Sequence, residues 1–172
     1  MQSNEPLFVY KRIKPIDTLV ARTMVEINCY GIVYIVITSG YFIIQKNWQL
    51  DNLPLLFFCY IIMALVGFGF GLIFMTIGHR FPLSKQIIPI VLRPLFFLSA
   101  IFYPVKVVPE RLKPFITWNP IVHTVELSRK AFSDTYILDQ SISLAYLLKF
   151  TLCVLTAGII IYFKNERILL TK

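Results

Sequence analysis

The sequence predicts an all-α integral membrane protein, with about four transmembrane helices and a short re-entrant or interfacial helical hairpin on the outer side. Three observations lead there. Hydrophobic residues make up 57% of the chain and charged residues only 15%, against roughly half and about a quarter in a soluble domain. The mean hydropathy is +0.71, and so apolar a chain cannot stay solvated as a disordered one. Four stretches are long and apolar enough to cross a hydrocarbon core about 30 Å thick, which takes roughly 20 helical residues. In such a chain the net charge of +8 reflects basic cytoplasmic loops, and nucleic acid is not expected as a partner.

Residues 1–26 read as a cytoplasmic segment and residues 27–172 as the transmembrane domain. The opening MQSNEPLFVYKR has no apolar h-region, so a cleavable signal peptide is not expected. Pro15 forces an extended approach, and Asp17 is placed to cap a helix over residues 18–25. That helix carries Leu19 and Val20 beside the charged Asp17 and Arg22. Two readings stand for it: docking in the groove of a partner, or lying on anionic headgroups through Lys11, Arg12, Lys14 and Arg22.

The four spans cover residues 27–44, 53–77, 87–103 and 144–163. The first two are uncharged; the third carries Arg93 and the fourth Lys149. Basic residues concentrate before the first span, at Arg80 and Lys85 between the second and third, and in the tail at Lys164, Arg167 and Lys172. The loop between the first two spans has only Lys46, balanced by Asp51. The positive-inside rule then sets both termini on the cytoplasmic side.

The re-entrant region covers about residues 104–132. Asn119-Pro120 is a helix-start pair, with Asn at the N-cap and Pro at the first helical position. The helix that follows, about 120–132, would be near 20 Å long and too short to cross. On it Ile121, Val125 and Phe132 share one face, and Glu126 and Lys130 form an i,i+4 pair. Val108-Pro109-Glu110 starts a shorter helical piece that ends before Pro114. The alternative is a solvated loop with one amphipathic helix.

Motifs for chemistry are absent from the sequence. There is no GxxxxGK[ST] phosphate loop. The GFGFG at 67–71 lies mid-span and lacks the context of a dinucleotide site, so Gly67 and Gly71 read as a close helix-packing face. Cys29, Cys59 and Cys153 are far apart in apolar runs, and His79 and His123 have no ligand-like neighbours, so neither metal nor cofactor is expected. His123 and Glu126 lie one turn apart without a nucleophile, which favours a structural hydrogen bond over acid–base chemistry.

RPLFFLSAIFYPVKVVPERLKPFITWNPIVHTVELSRKAF, residues 93–132, resembles the C-terminal signature of ABC-2 type permeases that export capsular polysaccharide. LFVYKRIKPIDTLVARTMVE, residues 7–26, resembles the coupling segment before the third span of that family. The family has six spans, with an amphipathic helix and two spans ahead of the coupling segment. This sequence starts at that segment, which implies a longer product or a missing half supplied separately. The resemblance implies an inner-membrane subunit that pairs with a second copy and with two ATPase subunits, ATP hydrolysis lying in those partners. Periplasmic and outer-membrane export proteins are further expected partners. Lys14, Asp17, Thr18 and Arg22 would couple to the ATPase.

Arg93, Tyr103, Trp118, His123 and Glu126 are the candidates for the polysaccharide pathway. Arg93 either faces a cavity and an anionic polymer or snorkels to the headgroups. Phe96, Phe97, Phe102, Tyr103, Phe115 and Trp118 flank the expected mouth, where flat rings stack on sugar faces or form an interfacial belt. O-antigen, teichoic acid or drug export, a half-permease that transports nothing, and a membrane-embedded transferase are the competing functions.

Overall fold

The protein is described by a computed structural model over residues 14–45, 52–133 and 135–170. Lys11, Arg12, Lys46, Asp51 and Lys172 lie outside them. All regular structure among the described residues is helical: α1 Pro15–Gln45, α2 Leu53–Arg80, α3 Ser84–Phe97, a 3-10 turn Val105–Val107, α4 Lys113–Thr117, α5 Pro120–Phe132 and α6 Leu144–Leu170. Three segments, Pro15–Tyr41, Leu53–Arg80 and Leu144–Glu166, are long and apolar enough to cross a membrane.

Helix α1 corrects the expectation of a separate short helix over 18–25. It runs unbroken for 31 residues from Pro15, because proline is tolerated in the first turn, where its missing N–H has no intrahelical partner anyway. Asp17 caps this start from inside the helix: its Oδ2 accepts the Lys14 backbone N–H at 2.9 Å. Past Pro15 there is no proline to stop the helix. The Thr18, Thr23 and Asn28 side chains bond back to carbonyls of Pro15, Leu19 and Met24, all within the same element or turn.

Helices α2 and α6 form the packed centre. Gly69 and Gly158 make their approach possible: a Cβ on Gly158 would lie 2.8 Å from the Gly69 carbonyl oxygen, and one on Gly69 would lie 2.8 Å from Val154 Cγ1. Small residues let helix backbones meet where lipid removes the hydrophobic drive. Toward one end, Leu72, Met75 and Tyr162 pack with Ile16 and Leu19 of α1. Toward the other, Cys59, Ile62, Val66 and Leu147 join Ala100, Val105, Val108, Ile116, Val122 and Leu127 in one cluster.

Helix α3 stops at Phe97 rather than running on to Tyr103. It spans 14 residues, about 21 Å, includes Pro89 and Pro94 and buries no residue. After it the chain turns back, with Ala100 at φ 55°. The short helical piece also differs from expectation: α4 begins at Lys113 and contains Pro114 in its first turn, where proline does no harm. Helix α5 starts where Asn119-Pro120 marks it, with the Asn119 side chain accepting the Ile121 N–H at 3.0 Å.

Candidate functional site

The end of the bundle built from the α3 terminus, α4, α5 and the start of α6 gathers most of the buried polar residues. Its centre is Glu126, fully buried on α5. Oε1 accepts from the Val105 N–H at 3.0 Å and from Arg129 Nη1 at 2.8 Å, and Oε2 accepts from the Tyr136 hydroxyl at 2.8 Å. Burial and that bond to a carboxylate push the Tyr136 phenol upward. Arg129 then spends three further donors on the turn after α3: Nη1 to the Tyr103 carbonyl at 3.0 Å, and Nη2 to those of Ala100 at 2.7 Å and Ile101 at 2.8 Å.

A left-handed non-glycine residue costs roughly 1–2 kcal/mol, so Ala100 needs such contacts to hold it. The expected Glu126–Lys130 pair is replaced by Glu126–Arg129. The buried residues of α5 include Val122, His123, Thr124, Glu126, Leu127 and Ala131, while the Ile121–Val125–Phe132 face is half-buried.

His123 is buried and fixed at both ring nitrogens. Nδ1 accepts the Ser143 N–H at 3.1 Å, which leaves Nε2 to carry the proton and donate to the Thr117 carbonyl at 2.7 Å. Burial pushes its pKa down. Its ring lies 4.8 Å from that of Tyr146, whose hydroxyl donates to the Trp118 carbonyl at 2.7 Å. Asn119 Nδ2 donates to Ser99 Oγ at 2.9 Å, tying α5 to the turn. Beyond, Lys113 Nζ sits 2.7 Å from both Glu110 and Asp139. Its ammonium, with the Ser141 hydroxyl and N–H, holds Asp139 down to about 2.

On the outside of this knot are rings. Phe96, Phe97 and Phe102 form a mutual cluster with centroids 5.8–6.0 Å apart, and all three are at least half exposed. Trp118 and Phe115 are exposed as well. Tyr103 is half-buried, its hydroxyl 3.5 Å from the Phe97 carbonyl. Arg93 is exposed on α3, with no carboxylate among the described residues within ion-pair distance. The structure thus brings Tyr103, Trp118, His123 and Glu126 to one end of the molecule. His123 and Glu126 are held there as buried supports, and Trp118 presents its ring outward.

The proposed coupling residues cluster at the opposite end. Lys14 pairs with Glu166 of α6 at 2.8 Å. Arg22 pairs with Glu26 at 2.9 Å on an exposed face of α1, and Thr18 is spent on the Pro15 carbonyl. Of the two glycines expected to pack, a Cβ on Gly71 would lie 3.2 Å from Leu19, whereas one on Gly67 would meet open space. Sequence reasoning missed Arg129, Gly69 and Gly158. The last two were visible as glycines in spans; Arg129 gave no signal, because three of its four acceptors are backbone carbonyls.

Residues 5–133 match the ABC-2 type transporter family. Over all 172 residues the chain is 37% identical to the polysialic acid transport protein KpsM of Escherichia coli, covering 66% of that protein. It is 24% identical over 161 residues to the capsule polysaccharide export inner-membrane protein BexB of Haemophilus influenzae, 93% of this chain and 60% of BexB. It is 26% identical over 135 residues to the capsule polysaccharide export inner-membrane protein CtrC of Neisseria meningitidis, 77% of this chain and 50% of CtrC. The chain therefore spans half to two-thirds of the length of these relatives.

Proposed function

The chain belongs to the ABC-2 type transporter family, and from that membership we propose that it supplies the permease part of an exporter that moves a capsular polysaccharide across the inner membrane. The observation that carries this is the 37% identity along the whole chain to a polysialic acid transport protein. Energy comes from separate ATPase subunits, two per transporter, bound to a pair of permeases. Periplasmic and outer-membrane export proteins receive the polymer.

In this reading the Lys14–Glu166 end faces the cytoplasm, and Lys14, Asp17, Thr18 and Arg22 lie where the ATPase docks. The α4–α5 end is the outer one. Helix α3 together with the turn after it makes the third of four crossings, and residues 104–132 form a re-entrant hairpin, since irregular backbone at membrane depth survives only against protein or a water-filled cavity. The polymer passes the Phe96–Phe97–Phe102 cluster, Tyr103 and Trp118, whose rings stack on sugar faces. Arg93 meets anionic groups of the polymer on the α3 surface; a central Arg costs roughly 2.5–3.5 kcal/mol to insert, which an acidic cargo in a wet pathway offsets. His123 and Glu126 support that pathway from behind, and Gly67 packs on the second permease copy.

Deletion of the gene, with polysaccharide measured on the cell surface and in the cytoplasm, tests the reading. Polymer is expected to disappear from the surface and accumulate inside. Unchanged surface polysaccharide would remove capsular export as the function.

A further inference from the structure

We propose that Arg129 is a positioning residue for the outlet: through the carbonyls of Ala100, Ile101 and Tyr103 it holds the turn after α3 bent, and the bend assembles the Phe96–Phe97–Phe102 cluster. The role in export rests on reading that cluster as a polymer contact.

No helix-breaking residue ends α3 at Phe97, although Ser99 Oγ bonds the Leu95 carbonyl at 2.6 Å and the Tyr103 hydroxyl lies 3.5 Å from that of Phe97. The following residues, Leu98 to Tyr103, include neither proline nor glycine, and Ala100 sits in the left-handed region at φ 55°, which alanine does not choose. The bend is therefore imposed by contacts from elsewhere in the fold. Three carbonyls of the turn converge on one guanidinium at 2.7, 2.8 and 3.0 Å. Lysine cannot reproduce this, because its point charge lacks the rigid planar fork. Glu126 aims that fork, and it also takes the N–H of Val105, just past the turn. One buried carboxylate thus anchors the far side of the bend and orients the cation that closes it.

The aromatic cluster depends on this geometry. If α3 continued as a helix, Phe97 and Phe102 would be about 140° apart around the axis and about 7.5 Å along it, and Phe96 would be further still. In the bent chain Phe102 instead stacks on Phe97, with centroids 6.0 Å apart, and packs edge-on to Phe96 at 5.8 Å. Without Arg129 the three carbonyls lose their common donor. The segment then relaxes toward helical continuation, and Phe102 leaves its neighbours.

The test uses the assembled transporter in native membranes. Phe97→Cys combined with Phe102→Cys reports the bend by disulfide formation under mild oxidation, independent of any substrate. Cross-linking is expected to fall at least 5-fold with Arg129→Met and by less with Arg129→Lys. With the phenylalanines intact, Arg129→Met should lower surface polysaccharide at unchanged permease abundance, and adding Ala100→Gly, which removes the left-handed penalty, should recover part of both signals. If Arg129→Met fails to accumulate, Arg129→Lys and Arg129→Met/Ala100→Gly are scored in the same way. Undiminished cross-linking in these variants overturns the positioning role, and so does lost cross-linking with undiminished export. Phe102→Ala in the otherwise unaltered protein separates the two claims: if it leaves export intact, the cluster is not a polymer contact and the reading of the pathway fails by itself.

Discussion

Gly158 of α6 faces the carbonyl oxygen of Gly69 on α2 so closely that a methyl group there would lie 2.8 Å from it. The obstacle is backbone rather than a movable side chain, so the helices themselves must part.

Gly158→Ala is accordingly expected to destabilise the protein by roughly 1–3 kcal/mol, the range for overpacking. Thermal unfolding of the purified protein in detergent measures this. Gly67→Ala, with no atom beyond its own stretch of helix within 4 Å of the added carbon, should leave the melting temperature of the isolated chain unchanged or slightly raised. A Gly158→Ala protein as stable as the parent would mean that the two helices pack elsewhere.

Glu126→Ala strips the Arg129 guanidinium of its charge partner and leaves the Val105 N–H and Tyr136 hydroxyl without their acceptor. Breaking one side of a buried pair costs roughly 3–5 kcal/mol. Reduced abundance in membranes and faster proteolysis near residues 98–105 should follow, measured by pulse–chase and limited digestion. Normal turnover would count against the buried carboxylate as the anchor of the turn.

His123 makes stability fall on acidification. Burial lowers its pKa in the folded protein, so the unfolded chain binds the proton first. Stability is full above about 6.5, the ordinary value, and drains as pH falls toward the depressed folded value. Protonation also removes the acceptor that Ser143 N–H uses. The melting temperature should drop between pH 7.5 and 5.5, and His123→Gln should flatten that drop. A wild-type profile flat over this range would contradict it.

Asp139 acts lower on the scale. Its carboxyl is held down to about 2 by Lys113 and Ser141, against an ordinary 3.8. Its contribution is present above the ordinary value and lost only as pH falls from there through the folded one. Lys113, raised by the same pair, contributes below its ordinary 10.5 and loses that contribution only as pH rises beyond. Asp139→Asn should therefore lower stability by a constant amount between pH 5 and 9, roughly 1.5–3 kcal/mol for hydrogen bonds to a charged group. The gap to the parent should narrow below about pH 4 and close only below about pH 2, as Asp139 in the folded parent takes up its proton. A difference that varies between pH 5 and 9 would assign it to another group.

What could be read from sequence was what local chemistry encodes. Asn119-Pro120 marked the start of α5 because cap and first-turn proline act within three residues. The three apolar segments of crossing length declared themselves through composition. Pro15 was misread because proline both breaks helices and begins them, and only the absence of a later stop decides which. Gly67 and Gly71 share a face, while Gly69 lies about 200° around the helix from each. The sequence has no label for the face that meets α6. The Glu126–Arg129 knot was out of reach for a different reason. Its acceptors lie 26–29 residues away on the backbone, where side-chain patterns carry no information.

The unbroken α1 has a mechanical consequence. Beyond Pro15 it runs 23 residues to Thr38, about 35 Å, without a further proline, and its first turns are fastened to α6 and α2 by the Lys14–Glu166 pair and by Ile16 and Leu19 packed against Leu72, Met75 and Tyr162. Such a helix is a lever with no joint. Pivoted near its start, a tilt of about 10° sweeps its far end through roughly 6 Å. Any push delivered at Asp17 or Arg22 thus arrives at Tyr41, which bonds the carbonyl of Phe132 at the tip of α5, as displacement rather than as local softening.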